Sequence, residues 1–197
     1  MKLKTLGGVL GVLSSLIPLS CIFYSISISP WFSFHHNALS DLGVRAPSAL
    51  IFNLGLILGG ALGVLLSSIL IYGFKGYLRG LIGSTFLLLT TLSLSLSLIG
   101  LFTEESGAIH LYVSIAFFVL LPIAQISFSI VLKRLVKEWP LSVVFGAISA
   151  LVWVFPWKAA AIPELISSLS GSAWIIWISL LLITERLDED RRLRSMF

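Results

Sequence analysis

Charged side chains are scarce in this sequence. Only 11% of its 197 residues are Asp, Glu, Lys or Arg, whereas 57% are hydrophobic. A soluble domain needs roughly a quarter of charged residues to cover its surface. The composition therefore excludes a soluble globular protein and predicts that membrane lipids surround the chain. The length allows one compact unit and no second domain.

Cysteine is almost absent as well. Cys21 is the only one, which excludes an intrachain disulfide and a thiolate metal site. The 13 basic residues outnumber the 9 acidic ones, but they form short clusters between apolar segments. That pattern is typical of membrane orientation and not of a nucleic-acid surface, so we expect no nucleic-acid partner.

Long hydrophobic segments are what the sequence has instead of charge. A membrane-spanning helix needs about 20 mostly apolar residues. Six segments reach or approach this length, at residues 6–28, 48–72, 80–101, 108–132, 141–156 and 163–184. The alternating Leu and Ser of residues 92–97 suggest a strand, but an isolated strand cannot satisfy its backbone in lipid. The sequence predicts an all-α integral membrane bundle of six transmembrane helices, followed by a charged cytoplasmic tail at residues 185–197.

Basic residues mark one side of the predicted membrane. All but Arg45 and Lys158 lie near the two termini, in the loop after the second segment or in the loop after the fourth. The positive-inside rule therefore predicts a multi-pass protein of the cell membrane with both termini in the cytoplasm.

Residues that could take part in catalysis or ligand binding lie on the opposite, outer side. All three histidines and four of the nine acidic residues come out there, namely His35, His36, Asp41, Glu104, Glu105, His110 and Glu164. Ionisable groups at the ends of membrane helices are costly unless they pair or function, so this cluster is the candidate site. The centres of the predicted helices hold no ionisable residue, which disfavours a proton-coupled transporter.

Structural roles also explain some of these residues. Asp41 can cap a short helix or turn in which Gly43 takes a left-handed conformation. Glu104 and Glu164 precede or open a predicted helix, where an acid stabilises the helix dipole. Three interpretations stay open: a polar network that ties the loops together, an acid–base or metal site, and a ligand-binding site without chemistry. The spacing matches no strong catalytic motif.

The catalytic interpretation gives each residue a role. His110 or His36 is the general base or a ligand, and Asp41 orients it. A second acid or ligand comes from Glu104, Glu105 or Glu164. A divalent metal, if one is bound, would be held by His110, His36, Asp41 and Glu105.

Small residues and one amide on the second predicted helix indicate close packing. Gly55, Gly59 and Gly63 repeat every four residues and predict a tight helix contact, with a homodimer seam as the alternative. We expect the first or the third helix to be the partner of Gly59, and of these two the hydroxyl-rich third helix is favoured. Asn53 is expected to be buried and bonded to the first outer loop, because an amide in lipid needs a partner.

Several of these segments together resemble a known family. The segments are His36 with Ser40-Asp41-Leu42-Gly43, Phe52-Asn53-Leu54-Gly55, Thr103-Glu104-Glu105 with His110, and Glu164 ten residues before Trp174. They resemble the archaeal and bacterial membrane proteins of the domain of unknown function family 998, over nearly the whole chain. The resemblance implies a six-helix membrane fold and carries over no catalytic residues. The family looks distantly similar to the Frag1-like proteins, some of which take part in remodelling lipid anchors.

The sequence leads to one main functional hypothesis and two alternatives. The main hypothesis is a membrane protein whose outward-facing polar pocket binds or processes a lipid-like substrate at the outer leaflet, with membrane lipids as partners. The first alternative is a non-catalytic subunit of a homo-oligomer or larger membrane complex. The second alternative is a small-solute transporter.

Overall fold

The predicted all-α class is confirmed. The computed structural model describes residues 3–73 and 81–187. The helices are α1 (Leu3–Ser27), α2 (Ala49–Gly73), α3 (Leu81–Leu101), α4 (Ala108–Leu132), α5 (Pro140–Leu151) and α6 (Ala161–Ile183). Short 3₁₀ helices lie at Leu39–Gly43, Glu104–Ser106 and Val152–Val154. The basic residues Lys2, Lys75 and Arg79 and the predicted tail beyond Leu187 lie outside the described residues.

Helix length separates α5 from the other helices. In the described part of the chain, α1, α2, α3, α4 and α6 are long and apolar enough to cross a membrane. The 12 residues of α5 extend only about 18 Å at 1.5 Å per residue, less than the roughly 30 Å of a hydrocarbon core. The predicted fifth segment continued to residue 156, but the helix ends at Leu151. Pro156 explains the early end, because the residue before a proline avoids the helical conformation and Phe155 is extended (φ −76°, ψ 145°).

The alternating Leu and Ser segment is helical, as predicted. The Ser93 hydroxyl donates to the carbonyl of Leu89 at 2.8 Å, and the Ser95 hydroxyl donates to that of Thr91 at 2.9 Å. Both bonds run back four residues, which is the spacing of one helical turn. The hydroxyls are therefore satisfied within α3 and need no partner strand.

The helices form a ring in chain order. Each helix packs mainly against its chain neighbours, and α6 returns to pack against α1. A central cavity of about 90 Å³ lies inside the ring, and α1, α2, α3, α4 and α6 line it. Its wall combines small residues such as Ser14, Gly60 and Gly171 with apolar side chains such as Leu121.

The predicted close contact at Gly59 is present, but its partner is α1. A Cβ atom on Gly59 would lie 2.7 Å from Cγ of Pro18 and 3.0 Å from the carbonyl oxygen of Ser14. A Cβ atom on Gly55 would lie 2.8 Å from Sγ of Cys21, also on α1. Of the two expected partners of Gly59, the favoured α3 is therefore wrong and α1 is confirmed.

The contact with α3 involves Gly63, at the end of the glycine stripe, and Gly60, on the neighbouring face of α2. A Cβ atom on Gly63 would lie 2.6 Å from Oγ of Ser93, and one on Gly60 would lie 2.6 Å from the backbone nitrogen of Ser97. Successive helical residues are rotated by about 100°, so Gly59 and Gly60 point to different neighbours. The glycine stripe therefore serves two helix contacts within one chain.

Candidate functional site

The segment between α1 and α2 is organised around Asp41. Its Oδ2 atom accepts hydrogen bonds from Nδ2 of Asn37 at 2.6 Å and from the backbone N–H of Ala38 at 3.2 Å. These bonds hold the start of the 3₁₀ helix Leu39–Gly43, so the capping role of Asp41 is confirmed. The expected left-handed conformation of Gly43 is wrong, because among the described glycines only Gly107 has a positive φ.

Asn53 connects this segment to α2, as predicted. Its Nδ2 donates to the carbonyl oxygen of Gly43 at 2.8 Å, but the side chain is half-buried and not buried as expected. A Cβ atom on Gly43 would meet Oδ1 of Asn53 and would lie 3.1 Å from the ring of Phe52. The glycine is therefore required for close approach and not for backbone conformation.

Glu164 joins α6 to the same segment. Its Oε2 accepts the backbone N–H of Leu39 at 2.6 Å, and the residue is only 9% exposed. The backbone N–H of Ala161 also donates to the carbonyl oxygen of Asn37 at 3.1 Å. The first turn of α6 therefore caps the 3₁₀ helix from outside.

Glu104 completes a group of three acidic side chains. The Ser40 hydroxyl donates to Oε1 of Glu104 at 2.6 Å. The carboxyl of Asp41 is close enough to act electrostatically on the carboxyls of Glu104 and Glu164. We call Asp41, Glu104 and Glu164 the carboxylate site. Three separate parts of the chain supply its members, as their common predicted depth implied.

The electrostatics of Glu104 follow from this crowding. Partial burial raises the pKa of the Glu104 carboxyl above its usual value, because it disfavours the charged form. The neighbouring carboxyl of Asp41 raises this pKa further, whereas the Ser40 hydrogen bond and the nearby His110 oppose the rise.

His110 has a defined orientation next to the carboxylate site. Its Nδ1 lies 2.7 Å from the carbonyl oxygen of Phe102, and its Nε2 lies 3.4 Å from the Ser114 hydroxyl. A carbonyl only accepts, so Nδ1 carries a proton and donates it to Phe102, while Nε2 lies toward the Ser114 hydroxyl. The ring is thus oriented by a backbone carbonyl, and not by Asp41 as the catalytic hypothesis expected.

The other predicted site residues stay apart. His35, His36 and Glu105 are exposed. Within the ranges 3–73 and 81–187, no three His, Cys, Asp or Glu side chains lie close enough together to hold a metal ion. The structure therefore brings together Asp41 and Glu104 with His110 and Glu164, and leaves the rest of the predicted set at the surface.

Two cavities meet at the carboxylate site. An inner cavity of about 40 Å³ lies between the helix ends and is bordered by Ser40 and Glu164. A much larger lateral groove of about 640 Å³ runs along α4 and is closed by α5 and the start of α6. Ser114, Phe118 and Glu164 border both spaces, so the inner cavity and the lateral groove share one wall.

The lateral groove is almost entirely apolar away from this wall. It is lined by Leu111, Ser114, Ile115, Phe118, Val119, Pro122, Ile123, Ser149, Ala150, Trp153, Ala160 and Glu164. Ser114, Phe118 and Trp153 were not among the site residues predicted from the sequence. Ser114 follows His110 by four residues, which is one helical turn, and that spacing was the available signal.

These apolar helices and the polar site at their ends define a multi-pass helical membrane protein. The chain belongs to the family described as "Protein of unknown function (DUF998)", whose family model matches residues 12–181. No curated protein and no solved structure matches the chain.

The raised pKa of Glu104 makes stability depend on pH. The folded protein binds this proton more tightly than the unfolded chain does, so the free energy of unfolding should fall as pH rises above the ordinary glutamate pKa of 4.5. Melting temperatures in detergent between about pH 4 and pH 8 measure the effect across the ordinary and raised pKa. We expect the melting temperature of the Glu104→Gln protein to fall less steeply with rising pH than that of the parent protein. The Glu105→Gln protein, changed at the exposed neighbour, should keep the slope of the parent. Equal slopes for all three proteins would contradict the prediction.

Proposed function

We propose that this protein binds a lipid-like ligand at the outer leaflet of the cell membrane, with its polar head at the carboxylate site. The lateral groove is the observation that carries the proposal. It is long and apolar, it opens along the exposed face of α4, and it ends at the buried Glu164. Ligand sites are typically apolar clefts with a few placed polar groups, and this groove fits that description at the depth of lipid headgroups.

We further propose six membrane crossings with both termini in the cytoplasm. Lys4, Lys133, Arg134 and Lys137 adjoin one end of the bundle, as the positive-inside rule requires of the cytoplasmic side. An ion pair supports this grouping, because Arg186 after α6 lies 2.7 Å from Glu138 between α4 and α5. In this arrangement α5 crosses a locally thinned bilayer, which is one known response to a short helix.

The arrangement also supports proton transfer to a bound head. Nε2 of His110 is the ring nitrogen that does not bond Phe102, and it lies 3.4 Å from the hydroxyl of Ser114 on the wall of the lateral groove. The raised pKa of Glu104 brings this carboxyl closer to the range of a general acid. Processing of the ligand would therefore use His110 as base and Glu104 as acid.

Lipid retained by the purified protein tests the proposal. Val119→Trp would fill the lateral groove, because Val119 lines it and is 52% exposed. We expect this variant to retain about tenfold less lipid by native mass spectrometry, a loss of roughly 1.4 kcal/mol in binding. Ile130→Trp is the matched control, since it lies on the same exposed side of α4 three turns further on. Equal retention by the two variants would overturn the proposal.

The two alternative functions, a non-catalytic subunit and a solute transporter, predict different results for the same purified protein. A non-catalytic subunit, or a homo-oligomer, requires a stable complex that Val119→Trp or another exposed substitution disrupts. A solute transporter requires uptake into vesicles that depends on the central cavity. Size measurement of the purified protein and vesicle uptake with Gly171→Leu, which would narrow that cavity, separate these alternatives from lipid binding.

A further inference from the structure

We infer that the ligand of the carboxylate site is an amphiphile whose head donates hydrogen bonds, through hydroxyl or amine groups, and carries no phosphate. This inference rests on the proposed function and specifies its substrate class. It depends on three features of the site: an acceptor that is still free, two hydroxyls that already lie against other polar groups, and a charge of one sign.

The free acceptor belongs to Glu164. Its Oε2 accepts the backbone N–H of Leu39, whereas its Oε1 makes no hydrogen bond to any residue that the structure describes. The side chain borders the inner cavity and the lateral groove together. Glu164 is only 9% exposed, so water has little access to this oxygen, and a ligand that brings a donor is favoured there.

Two of the hydroxyls that line these spaces, those of Ser40 and Ser114, already lie against other polar groups of the site. The Ser40 hydroxyl donates to Glu104, and the Ser114 hydroxyl lies 3.4 Å from Nε2 of His110. Each serine has a single hydroxyl proton. A ligand head at Glu164 would therefore compete with Glu104 and His110 for these two hydroxyls, whereas the Ser149 hydroxyl of the lateral groove has no partner among the described residues.

The charge of the site points the same way. Asp41 and Glu104 both act on Glu164 as like charges. Among the residues that the structure describes, no lysine or arginine lines the inner cavity or the lateral groove. The two cations described at this end of the bundle are exposed, and the guanidinium of Arg45 lies 4.9 Å from the ring of Trp31. A phosphate would meet like charge without a counter-ion, whereas an amine or a hydroxyl would be attracted.

The tail of the ligand has its own place. Ile115, Val119 and Ile123 succeed one another by one turn along the lateral groove and leave Glu164 at one end. With the head at Glu164, the acyl chain of the ligand would pass Phe118, which borders both spaces, and lie along α4. Entry is then lateral, from the bilayer, and an amphiphile with a single chain is the simplest occupant.

Three single-chain amphiphiles with the same acyl length test the inference. They are a monoacylglycerol with a hydroxyl head, a long-chain amine, and a lysophosphatidic acid with a phosphate head. The readout is displacement of retained lipid and the shift in melting temperature of the detergent-purified protein. We expect the hydroxyl head or the amine head, or both, to bind at least about tenfold more tightly than the phosphate head, a difference of roughly 1.4 kcal/mol.

A charge-neutral variant tests the role of Glu164. Glu164→Gln keeps an oxygen for Leu39 but removes the negative charge, so amine binding should weaken about fivefold, because a neutral acceptor loses the charge-assisted part of the bond. Hydroxyl binding should change less. Glu105→Gln is the matched control and should leave both unchanged. If Glu164→Gln does not fold, the order of the three heads in the parent protein still decides the inference.

The outcomes separate the inference from the function on which it rests. Preference for the hydroxyl head alone identifies a polyol source, and preference for the amine head alone identifies a cationic one; each supports the inference. Binding of the phosphate head as tightly as the others overturns the inference and leaves lipid binding standing. Failure of all three to bind, together with unchanged lipid retention by Val119→Trp, overturns both.

Discussion

Replacement of Trp174 by alanine should lower the free energy of unfolding by about 3 kcal/mol. The Trp174 side chain is fully buried, its Nε1 donates to the Ser142 hydroxyl at 2.8 Å, and its ring meets that of Phe128 edge-on with centroids 5.6 Å apart. Tryptophan-to-alanine changes in soluble cores cost about 3–5 kcal/mol. The lower end applies here, because lipid solvates the side chain after helices separate and the cost is mainly lost packing.

A conservative variant separates packing from hydrogen bonding at this position. Trp174→Phe keeps most of the ring contacts but leaves the Ser142 hydroxyl without the indole donor. That hydroxyl still donates to the carbonyl oxygen of Gln125 at 2.6 Å. We therefore expect Trp174→Phe to lose about 1 kcal/mol, the usual net value of one hydrogen bond. Denaturant unfolding in detergent measures both variants, and equal losses would show that packing is not the main contribution.

Gly60→Leu should cost about 3 kcal/mol, the upper part of the range for overpacking. A Cβ atom at this position would overlap the carbonyl oxygen of Ser93 and lie 2.6 Å from the backbone nitrogen of Ser97. Backbone atoms cannot rotate away as a side chain can, so α2 and α3 must separate. Lost packing against the central cavity would add to the cost.

The matched control lies at the end of the same helix. In the part of the chain that the structure describes, no atom lies within 4 Å of a Cβ atom added at Gly73. Gly73→Leu should therefore leave the melting temperature in detergent nearly unchanged, or raise it slightly through better helix propensity. If the Gly60→Leu and Gly73→Leu proteins had the same melting temperature, the α2–α3 contact would not be tightly packed.

The sequence predicts the helices more completely than it predicts the site. Apolar length predicts the helices to within a few residues, except where Pro156 and the 3₁₀ turn shorten α5. The common depth of the acidic residues also predicts that Asp41, Glu104 and Glu164 converge. Depth says nothing about direction, and so it could not show that His36 and Glu105 face outward.

The amino-acid sequence by itself determined the membrane-protein class, the helical segments and the end of the bundle at which the acidic residues gather. Only the tertiary structure decided that Gly59 packs on α1, that Glu164 binds the backbone of Leu39, and that Val119 lines a groove. The physical reason is that bilayer thickness sets helix length directly in the sequence. Which face meets which neighbour depends on the packing of many similar apolar side chains, which no single segment encodes.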